Sequence, residues 1–297
     1  VEVDDNTVQR AALRVGSELA ARQERRAERA WQASKPPEME VEEAPERLYI
    51  SVDGTTAHLQ EGWKEVKVAA IYETEALPQA DGTIGIKAVR ITYVVSFEDA
   101  QTFARHVYLE AARRGFEQAR EVVVLGDGAE WIWNRIARFC DRPVEIVDFY
   151  HASEHVWNAG QALHGEGTEE TEQWVTQRLD QLLQQGPEAV IASFKISLVG
   201  ASTAAKAVLA RESNYLNKHK RRMQYPALRG AGYHIGSGSV ESACKRIIGA
   251  RLKQAGMIWT RAGAEAIAQL RATILCSRWD AFWDSYDRST RTSRIAA

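Results

Sequence analysis

Residues 122–128, VVVLGDG, decide the fold class of this 297-residue chain. A short, continuous apolar run is typical of a strand that is buried on both faces of a sheet. The Gly-Asp-Gly turn that closes the run leads into a helix, predicted over about 129–140. The same order recurs downstream, where a strand at 144–147 leads into a helix over about 151–164. Such strand–helix units indicate a sheet that is covered by helices.

Upstream of this segment, alternating apolar residues predict three strands and one helix. The predicted elements are strands over about 47–53, 63–72 and 89–96, and a helix over about 98–114. Asp53-Gly54 is expected to end the first strand, since this dipeptide favours turns. Asp81-Gly82 marks a turn between the second strand and the third. A meander followed by strand–helix crossovers predicts a mixed sheet, in which the first and fourth strands can lie side by side.

The remaining segments are predicted to be mainly helical. Residues 4–33 form one amphipathic helix, and the Pro- and Glu-rich stretch that follows is expected to be a linker. Residues 166–233 have helical spacing and no strand alternation, and helices are predicted over about 240–254 and 262–276. The expected organisation is an α/β core interrupted by an all-helical insertion, with these boundaries: N-terminal helix and linker 1–46, first part of the core 47–165, insertion 166–233, second part of the core 234–285, tail 286–297.

The composition excludes several classes of protein. Charged residues make up 26% of the chain and the net charge is −2, as in ordinary globular proteins. No run of 18 apolar residues predicts a membrane span, and no secretory signal opens the chain. The three cysteines are far apart and odd in number, which argues against a disulfide framework. A cytoplasmic location and no membrane partner are expected. Because the chain starts at Val1, we expect it to be a fragment.

The near-zero net charge hides a strongly basic stretch. Twelve Lys and Arg residues and two acids lie between Lys206 and Arg261, a net charge of +10, which leaves −12 elsewhere. This stretch predicts contact with a polyanion, and its aromatic residues Tyr215, Tyr225, Tyr233 and Trp259 are candidates for base stacking. Alternatively, the charges form a solvated surface and the aromatic rings belong to the core. The candidate DNA-binding residues are Lys218, Lys220, Arg221, Arg222, Lys245, Arg246, Arg251, Lys253 and Trp259.

Three acidic residues are candidate ligands for a metal ion. Asp53 and Asp127 lie at or just past predicted strand ends, where open sheets gather their ligands. Glu241 opens the helix after a Gly/Ser loop. Carboxylates that converge repel one another unless cations lie between them, and their oxygens suit Mg²⁺ or Mn²⁺. The alternatives are that each Asp-Gly is only a turn, and that Glu241 complements the helix dipole or pairs with Lys245.

A fourth candidate is Asp148-Phe149-Tyr150-His151, which follows another strand. His151 is suited to orienting a phosphate or an active-site carboxylate. Alternatively, Asp148 is a helix N-cap and His151 is partly buried. No Cys/His spacing for zinc occurs.

One competing motif is Ser51-Val52-Asp53-Gly54-Thr55, which looks like the nucleophile loop of haloacid-dehalogenase-type phosphatases. Their mechanism needs an attacking aspartate at the position of Ser51. Serine lacks that carboxylate, so a metal-dependent phosphatase is disfavoured.

Together these segments resemble the catalytic blocks of bacterial insertion-sequence transposases of the ISKra type. The resemblance extends over about 47–285 and is carried by four ordered blocks and a following segment: YISVDGT at 49–55, LGDGA at 125–129, DFYH at 148–151, GSGSVESACK at 236–245 and RLKQAGMIW at 251–259. The family belongs to the DDE transposases, whose core is ribonuclease-H-like and in many members carries a helical insertion.

The resemblance implies a mechanism and partners. Asp53, Asp127 and Glu241 would form the metal-binding triad for two Mg²⁺ ions, for which Mn²⁺ would substitute, with Asp148 and His151 in supporting roles. The protein would cleave DNA at the terminal inverted repeats of its element and join the ends to target DNA, as a homo-oligomer in a synaptic complex. Full-length members have a longer N-terminal region that is expected to bind the repeats. The alternative is a non-catalytic or truncated DNA-binding remnant.

Overall fold

A computed structural model of the protein describes residues 4–33, 43–78 and 84–286. The strands in these ranges are β1 (Arg47–Leu59), β2 (Gly62–Pro78), β3 (Ile84–Ser96), β4 (Glu121–Gly126) and β5 (Val144–Val147). The α-helices are α1 (Asp5–Gln32), α2 (Ala100–Arg113), α3 (Phe149–His164), α4 (Glu169–Gln185), α5 (Pro187–Ser197), α6 (Thr203–His219), α7 (Tyr225–Gly230), α8 (Gly238–Ala243), α9 (Ala250–Leu252) and α10 (Arg261–Leu275). None of the helices within the described residues is both long and apolar enough to cross a membrane.

The five strands form one mixed sheet in the order β3-β2-β1-β4-β5. The pairs β1–β2 and β2–β3 are antiparallel, whereas β4 and β5 are parallel. The chain is therefore an α/β protein. The predicted meander and the predicted neighbourhood of the first and fourth strands are confirmed.

The chain divides into two compact units. The first unit comprises Val1–Val122, Arg138–Arg142 and Gly238–Ala297, and the second comprises Val123–Ala137 and Pro143–Ser237. Strands β1 to β3 belong wholly to the first unit.

The core of the first unit forms where β1 and β2 run side by side. Residues 48–52 of β1 are all buried, so this part of the strand is covered on both faces. The rings of Tyr49 and Tyr72, which are paired across the two strands, stack with their centroids 5.1 Å apart. On α1, Val15 and Leu19 of the predicted apolar stripe pack into a buried cluster, as its periodicity predicts.

The prediction that Asp53-Gly54 ends the first strand is wrong. β1 continues through both residues, which pair with Val68 and Lys67 of β2, and the hairpin turn lies at residues 60–61. The strand continues because β-branched residues follow Gly54 and because Ala57 and Leu59 extend the buried face of the sheet. Asp53 therefore lies in the middle of a strand and not at its end.

The second unit is built from β5, most of β4 and helices α3 to α7. Residues 166–233, all of which the structure describes, contain helices and no strand, as predicted. The segment predicted as a helix over 129–140 is irregular: it contains a π-helix at Ile132–Ile136, followed by a 3₁₀ helix at Ala137–Phe139.

The helix predicted over 240–254 is interrupted in the first unit. A π-helical turn, Cys244–Gly249, separates α8 from α9. Such turns contain one extra residue and are frequent at functional sites. The predicted Asp81-Gly82 turn, most of the Pro/Glu linker and the tail from residue 287 lie outside the described residues.

Candidate active site

The predicted carboxylates are divided between the two units. Asp53 and Glu241 belong to the first unit, and Asp127 and Asp148 to the second. All but Asp148 are half-buried.

In the first unit, alternation along β1 turns Asp53 and Thr55 to the same face of the strand. The Cys244 thiol, at the start of the π-helical turn, donates a 3.8 Å hydrogen bond to Oδ2 of Asp53. Nζ of Lys253 donates a 2.6 Å hydrogen bond to the Thr55 hydroxyl. Two contacts therefore fix the segment after Glu241 against the strand that carries Asp53.

Glu241 lies three residues before Cys244, which is about one helical turn. Burial, together with the negative charges of Asp53 and Glu241, raises the pKa of the Cys244 thiol to about 12. Both carboxylates are thus close enough to Cys244 to disfavour its thiolate. Within this unit, Asp53 contacts Cys244 and Glu241 lies one helical turn before it, so two of the three predicted ligands lie on elements that meet at Cys244.

Ser51 lies two residues before Asp53 on β1 and is fully buried. Its hydroxyl has no hydrogen-bond partner among the described residues. A buried hydroxyl without a neighbouring base is unsuited to nucleophilic attack. This position adds to the argument against the phosphatase interpretation.

In the second unit, Asp127 directly follows β4, as predicted. Its Oδ1 accepts a 2.9 Å hydrogen bond from the Ala129 amide, and its backbone carbonyl accepts a 2.7 Å hydrogen bond from the Tyr215 hydroxyl. Gly128 has a φ of +92°, and a Cβ at this position would lie only 2.8 Å from the same hydroxyl. The turn that carries Asp127 therefore requires glycine for two independent reasons.

Tyr215 is itself held by α3 and α6. The His155 ring stacks on the Tyr215 ring with centroids 3.5 Å apart and planes 18° apart. A 2.6 Å hydrogen bond joins Nδ1 of His155 to Oε2 of Glu212. The side chain of Glu212 is only 2% exposed, and its Oε1 binds the Arg211 guanidinium at 2.5 Å. These contacts connect a buried carboxylate through His155 to the ring that binds the Asp127 turn.

His219 also contacts the Tyr215 ring, with centroids 4.7 Å apart. Burial, together with the positive charges of Arg222 and Lys218, lowers the pKa of His219 to about 4. The ring is therefore neutral at physiological pH.

Sequence reasoning assigned no role to His155, Glu212 or His219. A signal was present in the spacing, because Glu212, Tyr215 and His219 recur every three or four residues and share one face of α6. His151 and His155 share a face of α3 in the same way, and their rings are 5.4 Å apart.

Asp148 is the N-cap of α3, which confirms one of the two predicted alternatives. Its carboxylate accepts hydrogen bonds of 2.8–3.3 Å from the amides of Tyr150, His151 and Ser237 and from the Ser237 hydroxyl. Burial raises the pKa of Asp148 despite these donors. With both oxygens occupied, Asp148 supports the local structure and is poorly suited to binding a metal ion.

The basic residues of the second unit differ in their pairing. Lys218 binds Glu130 at 2.6 Å, and Arg222 binds Glu145 at 2.5 Å while its guanidinium lies over the Trp133 ring. Lys220 and Arg221 are exposed, and neither has an ion-pair partner among the described residues. These two residues therefore add positive charge that is not neutralised by an ion pair among the described residues.

In the first unit, Lys245, Arg246 and Arg251 are all exposed, and Arg246 also donates a hydrogen bond of 3.4 Å to the Tyr93 hydroxyl. Trp259 is half-buried, and its backbone pairs with β1 at His58.

The suggestion that Tyr225 stacks on bases is wrong. Tyr225 is fully buried in the second unit, and its hydroxyl donates a 2.9 Å hydrogen bond to the Val147 carbonyl. Its ring is part of the core because α7 packs beside the end of β5, a contact that has no signature in the local sequence.

No group of three or more His, Cys, Asp or Glu side chains in the described part of the chain is arranged to hold a metal ion. Comparison with known proteins adds no family, because no protein-family model matches the chain and no curated protein is significantly similar to it.

Proposed function

We propose that this chain is the catalytic part of a DDE-type transposase with a ribonuclease-H-like core. The observation that carries the proposal is the contact of the Cys244 thiol with Asp53, which joins β1 to the helical segment that carries Glu241 in α8. Asp53 and Glu241 are two of the three residues that match the family's triad, and they come from blocks almost 190 residues apart in sequence. The mixed α/β sheet, with an antiparallel meander followed by a parallel pair, is compatible with this fold.

The chemistry of these residues suits Mg²⁺. Carboxylate oxygens are the ligands that this hard cation prefers, and both side chains are half-buried and so remain accessible. Cys244 stays protonated and does not offer a competing thiolate. In this proposal Asp127 supplies the third carboxylate. Two bound Mg²⁺ ions would stabilise the attacking and leaving oxygens of a phosphoryl transfer, and Mn²⁺ would substitute for them.

The chain's own residues have separate roles in this scheme. Asp53, Asp127 and Glu241 hold the cations, while the Asp148 cap fixes the start of α3 and thereby the position of His151. The exposed cations Lys220, Arg221 and Lys245 bind the DNA backbone. The protein acts as a homo-oligomer that pairs two ends of the element. Terminal inverted repeats and target DNA are the proposed substrates.

The decisive experiment uses Asp127→Asn. The assay incubates the protein and Mg²⁺ with an end-labelled duplex that carries the terminal repeat flanking the gene. We expect the wild type to cleave and join this DNA. The variant should lose both activities and retain the melting temperature, because the amide keeps the shape of the side chain and removes its charge.

Asp180→Asn is the matched control, since Asp180 is an exposed residue of α4 outside the proposed site. It should cleave like the wild type. Wild-type activity in Asp127→Asn would contradict the triad. Salt-dependent DNA binding by a wild type that never cleaves would instead favour the non-catalytic alternative.

A further inference from the structure

The turn that carries Asp127 is held by the side chain of Tyr215, which belongs to α6. The Tyr215 hydroxyl donates to the Asp127 carbonyl at 2.7 Å and occupies the space in which a Cβ of residue 128 would lie. The Asp127 carboxylate is fixed in turn to the Ala129 amide of the same turn. A displacement of the turn therefore displaces the carboxylate with it.

The ring of Tyr215 cannot readily turn away. Two rings contact it: His155, stacked at 3.5 Å, and His219, tilted at 4.7 Å. The Tyr215 hydroxyl therefore points to a defined place, and that place is the Asp127 carbonyl.

His155 is held by Glu212, a buried acidic residue. The Glu212 side chain is buried, and a buried polar group lowers stability unless it is hydrogen-bonded; its partners here are His155 and Arg211. The carboxylate also provides direction, because it fixes the orientation of the His155 ring through Nδ1.

From these contacts we infer that Tyr215 is a positioning residue for Asp127, and that His155 and Glu212 hold Tyr215 in place. The inference rests on the proposed function, since it assigns the positioning to a metal-binding carboxylate. It links the helical segment 166–233, through α6, to the geometry of that carboxylate. Partners that orient a metal ligand typically change metal affinity by about 10- to 100-fold when they are removed.

The test is Tyr215→Phe, which removes one oxygen atom and keeps the ring. The Mg²⁺ concentration for half-maximal cleavage of the terminal-repeat duplex should rise by about tenfold. Saturating Mn²⁺ should restore much of the rate. Hydrogen exchange at the amides of residues 127–129, measured without metal or DNA, should become faster than in the wild type.

Tyr225→Phe is the matched control. It removes the same kind of bond, from a tyrosine hydroxyl to a carbonyl at the end of a strand, in the same unit. Both variants should lose similar stability. Only Tyr215→Phe should shift the Mg²⁺ requirement, which a purely structural role would leave unchanged.

A second pair of variants tests the support. His155→Phe keeps a ring stacked on Tyr215 and loses the bond to Glu212, whereas His155→Ala loses both. The shift in Mg²⁺ requirement should be larger in His155→Ala than in His155→Phe. If His155→Ala has the same Mg²⁺ requirement as the wild type, His155 does not hold Tyr215 in place.

Two outcomes separate the proposed function from the role of Tyr215. If the wild type does not cleave DNA, the proposed function falls and this inference falls with it. If the wild type cleaves and Tyr215→Phe has the same Mg²⁺ requirement and the same exchange rates, only the inference is overturned.

Discussion

The thiol of Cys244 lies 3.8 Å from Oδ2 of Asp53, and burial together with that charge raises the pKa of Cys244 to about 12. We expect the native thiol to react very slowly with iodoacetamide at pH 8. Asp53→Asn should accelerate alkylation of Cys244, because it removes a negative charge that disfavours the thiolate. Mass spectrometry of peptides from briefly labelled native protein measures the rate.

Cys140 is the internal control for this labelling. Burial alone raises its pKa to about 12, so Asp53→Asn should leave its rate unchanged. Equal acceleration at both cysteines would indicate general loosening of the fold and would contradict the specific contact.

Gly128→Ala should destabilise the protein more than Gly62→Ala. Both glycines have positive φ values, of +92° and +96°, so each alanine incurs about 1–2 kcal/mol of backbone strain. Only at residue 128 does the new methyl group also overlap the Tyr215 hydroxyl, whereas no atom lies within 4 Å at residue 62. Urea unfolding of the two variants gives the comparison, and equal losses would show that Tyr215 does not occupy that space.

Reversal of charge at Lys220 and Arg221 should weaken binding to DNA of any sequence. Each phosphate contact that is lost should lower the slope of log affinity against log salt by about 0.9. Arg222 is a poor choice for this experiment, because its reversal would place a negative charge beside Glu145. Lys195→Glu, an exposed reversal on α5, serves as the control. An unchanged slope in the Lys220/Arg221 variant would mean that these residues are only solvated.

Glu110 should make the stability of the first unit depend on pH. Burial alone would raise the pKa of Glu110, but the hydrogen bonds and charge of Arg278 outweigh it, so the pKa lies below its ordinary value of 4.5. The stabilisation is therefore complete above about pH 4.5 and is lost as the pH falls through the lowered pKa. Glu110→Gln should cost about 3 kcal/mol at pH 7, since it leaves Arg278 without its carboxylate.

Urea unfolding between pH 7 and pH 3 tests this expectation. The difference between the wild type and Glu110→Gln should shrink at the acid end. The same substitution at the exposed Glu117 should have little effect at any pH. A constant difference across the range would show that Glu110 is not ionised in the native protein.

Much of the fold follows from short-range sequence patterns. The apolar run at 122–125 predicted β4, and helical spacing predicted that residues 166–233 contain helices only. Asp53-Gly54 shows the limit of this reasoning, because a strong local turn signal is overridden by pairing with Val68 and Lys67 on another strand. Such pairing depends on the partner strand and cannot be read from the dipeptide.

The candidate site shows the same limit. Asp127 and the Asp148 cap were predicted because turns and caps are encoded within a few residues. The connection from Glu212 through His155 to Tyr215 joins two helices, and the bonded residues His155 and Glu212 are 57 positions apart in sequence. The spacing on each helix was visible, but which face of α3 meets which face of α6 depends on packing.

The π-helical turn at Cys244–Gly249 makes the first unit sensitive to the number of residues in this segment. An extra residue in a helix rotates everything after it by about 100°. Glu241 lies before this rotation, and Leu252 and Lys253, which reach the core and Thr55, lie after it. Deletion of a single residue within the turn would leave every one of these side chains in the protein, yet turn the later ones away from their partners. Substitution of single residues would not detect this dependence, because it leaves the rotation about the helix axis unchanged.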